Sequence, residues 1–253
     1  MKIKFNHSKN QHSLQGPVAL LPVVFDQIKL DSLIDVGCGI GTWTKAAMDL
    51  GVKDILGLDG VNVPTEQLLI PQESFLIQDL TQDWDLGRRF DMALCLEVGE
   101  HLEQQFAARL VRSLARHSDN VVFSAACPGQ AGQYHVNCQW PAFWQKLFNA
   151  EGFFCEDSLR WKIWDDCRIE PWYRQNVFVA KRAPARAGRE ERLRPVVHPE
   201  FLYGTEYEIV RNARFSSMTA IEGGEMTVGW YLSTPLKGLR AKLAKRMRAS
   251  SQA

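Results

Sequence analysis

The segment Leu33-Ile34-Asp35-Val36-Gly37-Cys38-Gly39-Ile40-Gly41 constrains the fold of this chain more than any other. A short apolar run ends in an acid, and glycines then fall on alternate residues. The run predicts a buried strand, and the glycines predict a tight turn that admits a ligand close to the backbone. A helix is expected next, from Thr42 to Leu50, with its first N–H groups turned toward that ligand and favouring a polar or anionic group.

Three more apolar runs end in acids. Asp54-Ile55-Leu56-Gly57-Leu58-Asp59 predicts a second strand, Phe75-Leu76-Ile77-Gln78-Asp79-Leu80 a third, and Phe90 to Glu97 a fourth, running into Val98-Gly99-Glu100-His101-Leu102. A carboxylate at Asp59, about 20 residues past the glycine turn, can accept both hydroxyl hydrogens of a ribose. A helix over Glu103–His117 would set Phe106, Leu110, Val111 and Leu114 on one face before a fifth strand, Asn120–Ser124. Strands alternating with helices of this length predict a mostly parallel sheet covered on both sides, with its ligand beyond the carboxyl ends of the strands.

The glycine spacing is G-x-G-x-G. A dinucleotide fingerprint needs G-x-G-x-x-G, and Thr42 stands where its third glycine belongs, so a nicotinamide-dependent oxidoreductase fits poorly. With Asp35 two residues ahead of Gly37, the segment resembles motif I of the class I S-adenosylmethionine-dependent methyltransferases. That resemblance implies a Rossmann-like α/β fold, doubly wound, with a mostly parallel seven-stranded sheet whose last strand is antiparallel. It also implies a cofactor site made of Asp35, Gly37, Cys38, Gly39, Gly41, Asp59, Asp79, Leu80 and Glu97, with Asp79 at the exocyclic amine of adenine. Segments near Phe153–Trp164 and Gln175–Ala180 are expected to supply the last two strands, after a helix over Pro141–Ala150.

The acceptor side is read from Cys127 to Trp140. Pro128-Gly129-Gln130-Ala131-Gly132-Gln133-Tyr134-His135-Val136-Asn137-Cys138-Gln139 resembles a P-G-Q-x-G-x-x-H-V-N-x-Q segment of bacterial methyltransferases linked to polysaccharide and glycan assembly, and Trp172-Tyr173-Arg174-Gln175-Asn176 is similar to their W-Y-R-Q-N signature. Methyl transfer to oxygen is an in-line displacement that needs the acceptor aligned and its proton removed. His135 is the first candidate base, because an imidazole titrates near neutral pH; His101 is the second. Asn137 and Gln139 are candidate ligands for sugar hydroxyls, and Trp140 and Trp144, four apart, are either core packing or a platform under a sugar ring. The spacing Glu97-x-x-Glu100-His101 resembles the site of small-RNA 3′-terminal 2′-O-methyltransferases and ubiquinone-biosynthesis O-methyltransferases, which implies a divalent metal held by Glu97, Glu100, His101 and His135. The same spacing also occurs without metal, the first acid touching the cofactor.

These readings leave three candidate functions: O-methylation of a sugar or glycan hydroxyl, metal-assisted O-methylation of an RNA ribose or small aromatic hydroxyl, and cofactor binding without turnover in a partner protein.

At 253 residues the chain can bury one good core with length to spare. Residues 1–16 are expected to be a flexible segment, 17–181 the methyltransferase domain, opening on a helix from Pro17 to Ile28, and 182–253 a basic linker and C-terminal extension. Lys181–Arg194 carries six basic and two acidic residues, and Lys237–Arg248 six basic residues and no acid. Leu236, Leu239, Leu243 and Met247 in that tail have helical spacing, so a solvated basic helix or peripheral contact with an anionic membrane is expected. A net charge of +1 and the lack of an interleaved basic and aromatic surface count against nucleic acid. The six cysteines form no C-x-x-C pair, which excludes a zinc ribbon or disulfide framework and, with no apolar run long enough to span a bilayer, points to a reduced, cytoplasmic setting.

Overall fold

The computed structural model describes residues 5, 7, 13–26 and 30–202. Helix α1 (Gln15–Phe25) precedes strand β1 (Ser32–Val36), α2 (Thr42–Asp49), β2 (Asp54–Asp59), β3 (Phe75–Ile77) and β4 (Met92–Leu96). Then come α3 (Ala107–His117), β5 (Asn120–Ser124), α4 (Pro141–Ala150), β6 (Phe153–Glu156), α5 (Ser158–Ile163), α6 (Pro171–Asn176), β7 (Phe178–Arg182) and the short α7 (Pro199–Leu202). The strands form one sheet in the order β3-β2-β1-β4-β5-β7-β6. The sheet is mixed: β1, β2, β3, β4 and β5 pair in parallel, and β7 runs antiparallel to both β5 and β6. The order reverses between β1 and β4, and a ligand crevice is expected beyond that junction.

The two-residue period of the strands sorts their side chains between two cores. Leu33, Ile55, Met92, Leu94 and Val122 meet α1, α2 and α5 through Leu20, Leu21, Trp43, Ala46, Leu159 and Ile163. Ile34, Val36, Leu58, Ala93, Cys95, Val121 and Phe123 meet α3 and α4 through Leu110, Val111, Leu114, Trp144 and Phe148. Each fully buried side chain of this kind contributes about 1.5–3 kcal/mol.

Several boundaries differ from the sequence expectation. Helix α1 begins two residues before Pro17, which stays in the first turn where a missing N–H costs nothing; it ends at Phe25, and residues 27–29 lie outside the described set. The run from Phe153 is a strand only to Glu156: Leu159, Arg160 and Ile163 are then buried at helical spacing, and α5 forms. Gln175 and Asn176 close α6, which Pro171 opens, so β7 starts at Phe178. Gln104–Phe106 is a separate 3-10 turn ahead of α3.

Residues 183–201, read from composition as linker, lie against the core. Leu193 and His198 are buried. Glu190 accepts from Asn149 Nδ2 (2.6 Å), Gln145 Nε2 (3.2 Å) and the Cys155 N–H (3.1 Å). The basic stretch Lys237–Arg248 lies outside the described residues. No described helix is long and apolar enough to cross a membrane.

Candidate active site

A cleft of about 410 Å³ opens at the carboxyl ends of β1 to β5. The glycine turn forms its floor. The Gly37 and Cys38 N–H groups both donate to the Leu58 carbonyl (2.7 and 2.9 Å), which pins the turn to β2. Gly37 has φ +82°, and a Cβ there would fall 2.3 Å from Val98 Cγ2, so only glycine passes beneath the β4 loop. At the end of β2, Asp59 accepts from the Gly39 N–H on Oδ2 and the Val61 N–H on Oδ1, both at 2.8 Å. Those donors hold the carboxylate in the cleft wall with lone pairs left for two hydroxyls. His7 Nε2 lies 3.5 Å from Asp59 Oδ1, and Phe5 packs edge-on against His101 with ring centres 4.7 Å apart.

Gly37, Cys38, Gly39, Asp59, Leu80 and Glu97 line the cleft. Asp35, Gly41 and Asp79 do not. Asp35 is buried beneath the turn, where Thr44 of α2 donates to Oδ2 (2.8 Å). Burial, opposed by that hydrogen bond and aided by the nearby Asp59, pushes its carboxyl up to about 7. It braces the turn against α2. Gly41, with φ +87°, is the N-cap of α2. Asp79 turns back on its own chain and accepts from the Thr81 N–H (2.9 Å) and hydroxyl (2.6 Å).

The other end of the cleft is built from the β4 loop and the segment after β5. Glu97 stands at φ +55°, held there by its N–H, which donates to the Ser124 carbonyl (3.0 Å) and hydroxyl (3.1 Å). Gln130 Nε2 donates to Glu97 Oε2 (2.8 Å), Asn176 Nδ2 to Oε1 (3.2 Å), and Asn176 Nδ2 also to Gln130 Oε1 (2.8 Å). Two polar positions of the segments noted in the sequence therefore grip one carboxylate. Burial raises the Glu97 pKa despite these amides. Glu100 is fully buried, and burial together with the charge of Glu97 pushes it well up. It is the more strongly neutral of the pair.

His101 and His135 stack edge-on with ring centres 5.1 Å apart. His101 Nδ1 lies 3.3 Å from the Tyr134 carbonyl, and His135 Nδ1 lies 3.1 Å from the Gln130 carbonyl. A carbonyl only accepts, so each Nδ1 carries the proton and each Nε2 keeps its lone pair. Burial, then the neighbouring His135, lowers His101 to about 4; burial lowers His135 too. Gly132 makes room for the His135 ring, since a Cβ there would fall 2.0 Å from Nε2. One ligand atom from each of Glu100, His101 and His135 lies within 4.8 Å of the others; Glu97, expected with them, is engaged by amides instead.

Other residues singled out in the sequence serve structure. Asn137 is buried and donates to the Gly99 carbonyl (3.3 Å), and Gln139 donates to Asn137 Oδ1 (3.1 Å), so both pin the loop. Trp140 is the extended N-cap of α4, off the face of Trp144, which is buried against Phe123 and Gly99.

The family described as a methyltransferase domain matches residues 8–161, more than half of the sequence. The chain belongs to that family. No curated protein matches it in sequence. Among solved structures, this methyltransferase is similar to the sugar N-methyltransferase KedS8 from Streptoalloteichus sp. (TM-score 0.52, 17% identity, 68% of this chain and 88% of that one). It is also similar to the methyltransferase domain of a bacterial CtHen1 (0.50, 18%, 67% and 100%). Streptomyces venezuelae DesVI compares equally well (0.50, 17%, 67% and 93%). At these identities the likeness is one of fold.

The methyltransferase is an S-adenosylmethionine-dependent enzyme, and its cleft fits that molecule: glycines beneath, the oriented carboxylate of Asp59 for a ribose, and apolar Leu80 and Val61 beside them. Tyr173, noted in the sequence as part of the W-Y-R-Q-N signature, also lines the cleft, as do Phe5, His7, Trp43 and Glu170, which were not picked out. Phe5, His7 and Glu170 stand beside no glycine turn or strand end, the local signals that marked the rest.

Proposed function

We propose that this methyltransferase transfers a methyl group to a hydroxyl of a sugar or glycan, with His135 as base. The observation that carries the proposal is the state of His135: in the cleft, neutral through burial, with Nδ1–H spent on a carbonyl and Nε2 free to accept. Bound S-adenosylmethionine supplies a methyl group on a sulfonium, which leaves as a neutral thioether. As the acceptor oxygen forms its bond to that carbon, His135 Nε2 takes the hydroxyl proton. His101 is the weaker base of the two, because burial lowers it to about 4. A sugar acceptor is supported by the similarity of the 128–139 segment to glycan-linked methyltransferases and by the polar lining that Gln130 and Gln133 give the cleft.

A second reading rests on Glu100, His101 and His135. A buried carboxylate beside two imidazoles, with one ligand atom of each within 4.8 Å of the others, fits a divalent cation. Such an ion would lower the pKa of an acceptor hydroxyl and fix its orientation, as methylation of an RNA ribose or aromatic hydroxyl would use.

One experiment separates them. His135→Ala should lower turnover by about 10²–10⁴-fold while leaving S-adenosylmethionine affinity intact; a near-normal rate would contradict the role of His135. Wild-type activity that survives EDTA supports the base, whereas activity lost to EDTA and restored by Mg²⁺ or Mn²⁺ assigns the three residues to a metal.

A further inference from the structure

Four carboxylates line the cleft: Asp59, Glu97, Glu100 and Glu170. Asp59 is oriented by two backbone N–H groups, Glu97 is gripped by Gln130 and Asn176, and Glu100 sits with His101 and His135. Among the described residues Glu170 meets only its own backbone N–H. It precedes Pro171 at the start of α6, and its Oε2 is buried with no hydrogen-bond donor among the described residues. The oxygen presses on the first turn of α1, where a Cβ on Gly16 would lie 2.1 Å from it. Arg174, one helical turn on, gives Nη2 to Glu200 Oε1 (2.7 Å) and Nη1 to the Trp164 carbonyl (3.2 Å), while its buried Nε has no acceptor, Glu170 included, among the described residues. Burial raises the Glu170 carboxyl, partly offset by its own backbone N–H and then by Arg174.

The position of Glu170 relates it to the glycine turn. The Tyr173 N–H donates to the Glu170 carbonyl (3.1 Å), and the Tyr173 hydroxyl accepts from Trp43 Nε1 (3.4 Å), with the two rings 5.0 Å apart at 82°. Trp43 belongs to the first turn of α2, immediately after the glycines. Glu170 is thus a partly buried carboxylate with one oxygen left without a donor, joined through two aromatic residues to the turn on which the cofactor rests. The donor carries two positive groups, its sulfonium and the α-ammonium of its methionine moiety, and only the ammonium has N–H bonds to give an acceptor oxygen. An acid left buried without a partner is costly, and a charged hydrogen bond to an ammonium removes that cost.

We propose that Glu170 accepts the α-ammonium of S-adenosylmethionine, and so selects a donor with a complete amino-acid tail over a nucleoside thioether that lacks one. The proposal rests on the cofactor reading of the cleft and adds a residue outside the glycine motif to it.

The test is calorimetric titration of the full chain with S-adenosylhomocysteine and with 5′-methylthioadenosine, which keeps the nucleoside and sulfur but has no amino-acid tail. Glu170→Gln, which keeps the shape and removes the charge, should weaken S-adenosylhomocysteine by about tenfold or more and leave 5′-methylthioadenosine unchanged. An equal loss for both ligands, or none for either, overturns the assignment. The des-amino analogue of S-adenosylhomocysteine should bind the wild type about tenfold or more weakly than the parent does, and Glu170→Gln nearly as well as the parent does. Equal affinity of the two ligands for the wild type, or an undiminished gap in the variant, overturns the role of Glu170. Wild-type protein that binds none of these ligands would refute the cofactor reading itself, an outcome distinct from failure of Glu170 alone.

Discussion

Asp35 shows how a residue legible in a motif acquires its task from the fold. Successive side chains on a strand point to opposite faces, and Ile34 and Val36 of β1 face α3 and α4. Asp35 therefore points toward α2, where Thr44 meets it, and does not reach the cleft. Its carboxyl is raised from 3.8 to about 7 by burial, so the folded state holds a proton that the unfolded chain releases. A raised carboxyl contributes full stability below its unfolded value, and that contribution is lost as pH rises through the folded one. Asn at this position keeps an acceptor for Thr44 and carries no charge to bury. Asp35→Asn should match the parent in thermal unfolding at pH 4 and exceed it at pH 8 by ~1 kcal/mol or more, about 2–4 °C in Tm. A variant less stable at both pH values would show that Asp35 is ionised and favourably paired in the native protein. Asp59, by contrast, was legible in place, because an acid at the last residue of a parallel strand lies at the cleft whichever face it takes.

At the scale of elements, periodicity located the strands that are buried on both faces and failed where a strand gives way to a helix. β2 and β5 occupy the expected residues, and so does α4, opened by Pro141. The run after Phe153 is apolar throughout, and apolarity alone does not separate a strand from a short buried helix. Only the packing of Leu159 and Ile163 against the α1 and α2 layer decides for α5. Composition misled in 183–201 for a related reason: basic residues mark a solvated face, but Glu190 and Leu193 between them bind the segment to α4 and β6. Helix α3 was legible because its apolar face repeats regularly. Leu110 lies fully buried at its centre, so Leu110→Ala should destabilise the fold by about 2–5 kcal/mol in urea unfolding. A loss well below that range would mean that α3 is not an integral part of the core.

At the scale of the whole molecule, one topological fact gathers the site. The sheet order reverses between β1 and β4, and the segments leaving β1, β2, β4 and β5 all deliver residues to the crevice beyond. Gly37, Cys38, Gly39, Asp59, Leu80 and Glu97 were legible as cleft residues because each ends or follows a strand within a few positions. The acceptor half was legible only as a motif, since the partnership of Gln130 and Asn176 on Glu97 spans most of the domain. Glu170 and the N-terminal Phe5 and His7 reach the cleft through tertiary packing that no local pattern announces. The central claim, that this cleft binds S-adenosylmethionine through the carboxylate of Asp59, is tested most directly by calorimetric titration of the wild-type protein and Asp59→Ala. The account predicts saturable binding to the wild type and a loss of about 1.5–3 kcal/mol in the variant; equal affinities, or no binding to the wild type, would contradict it.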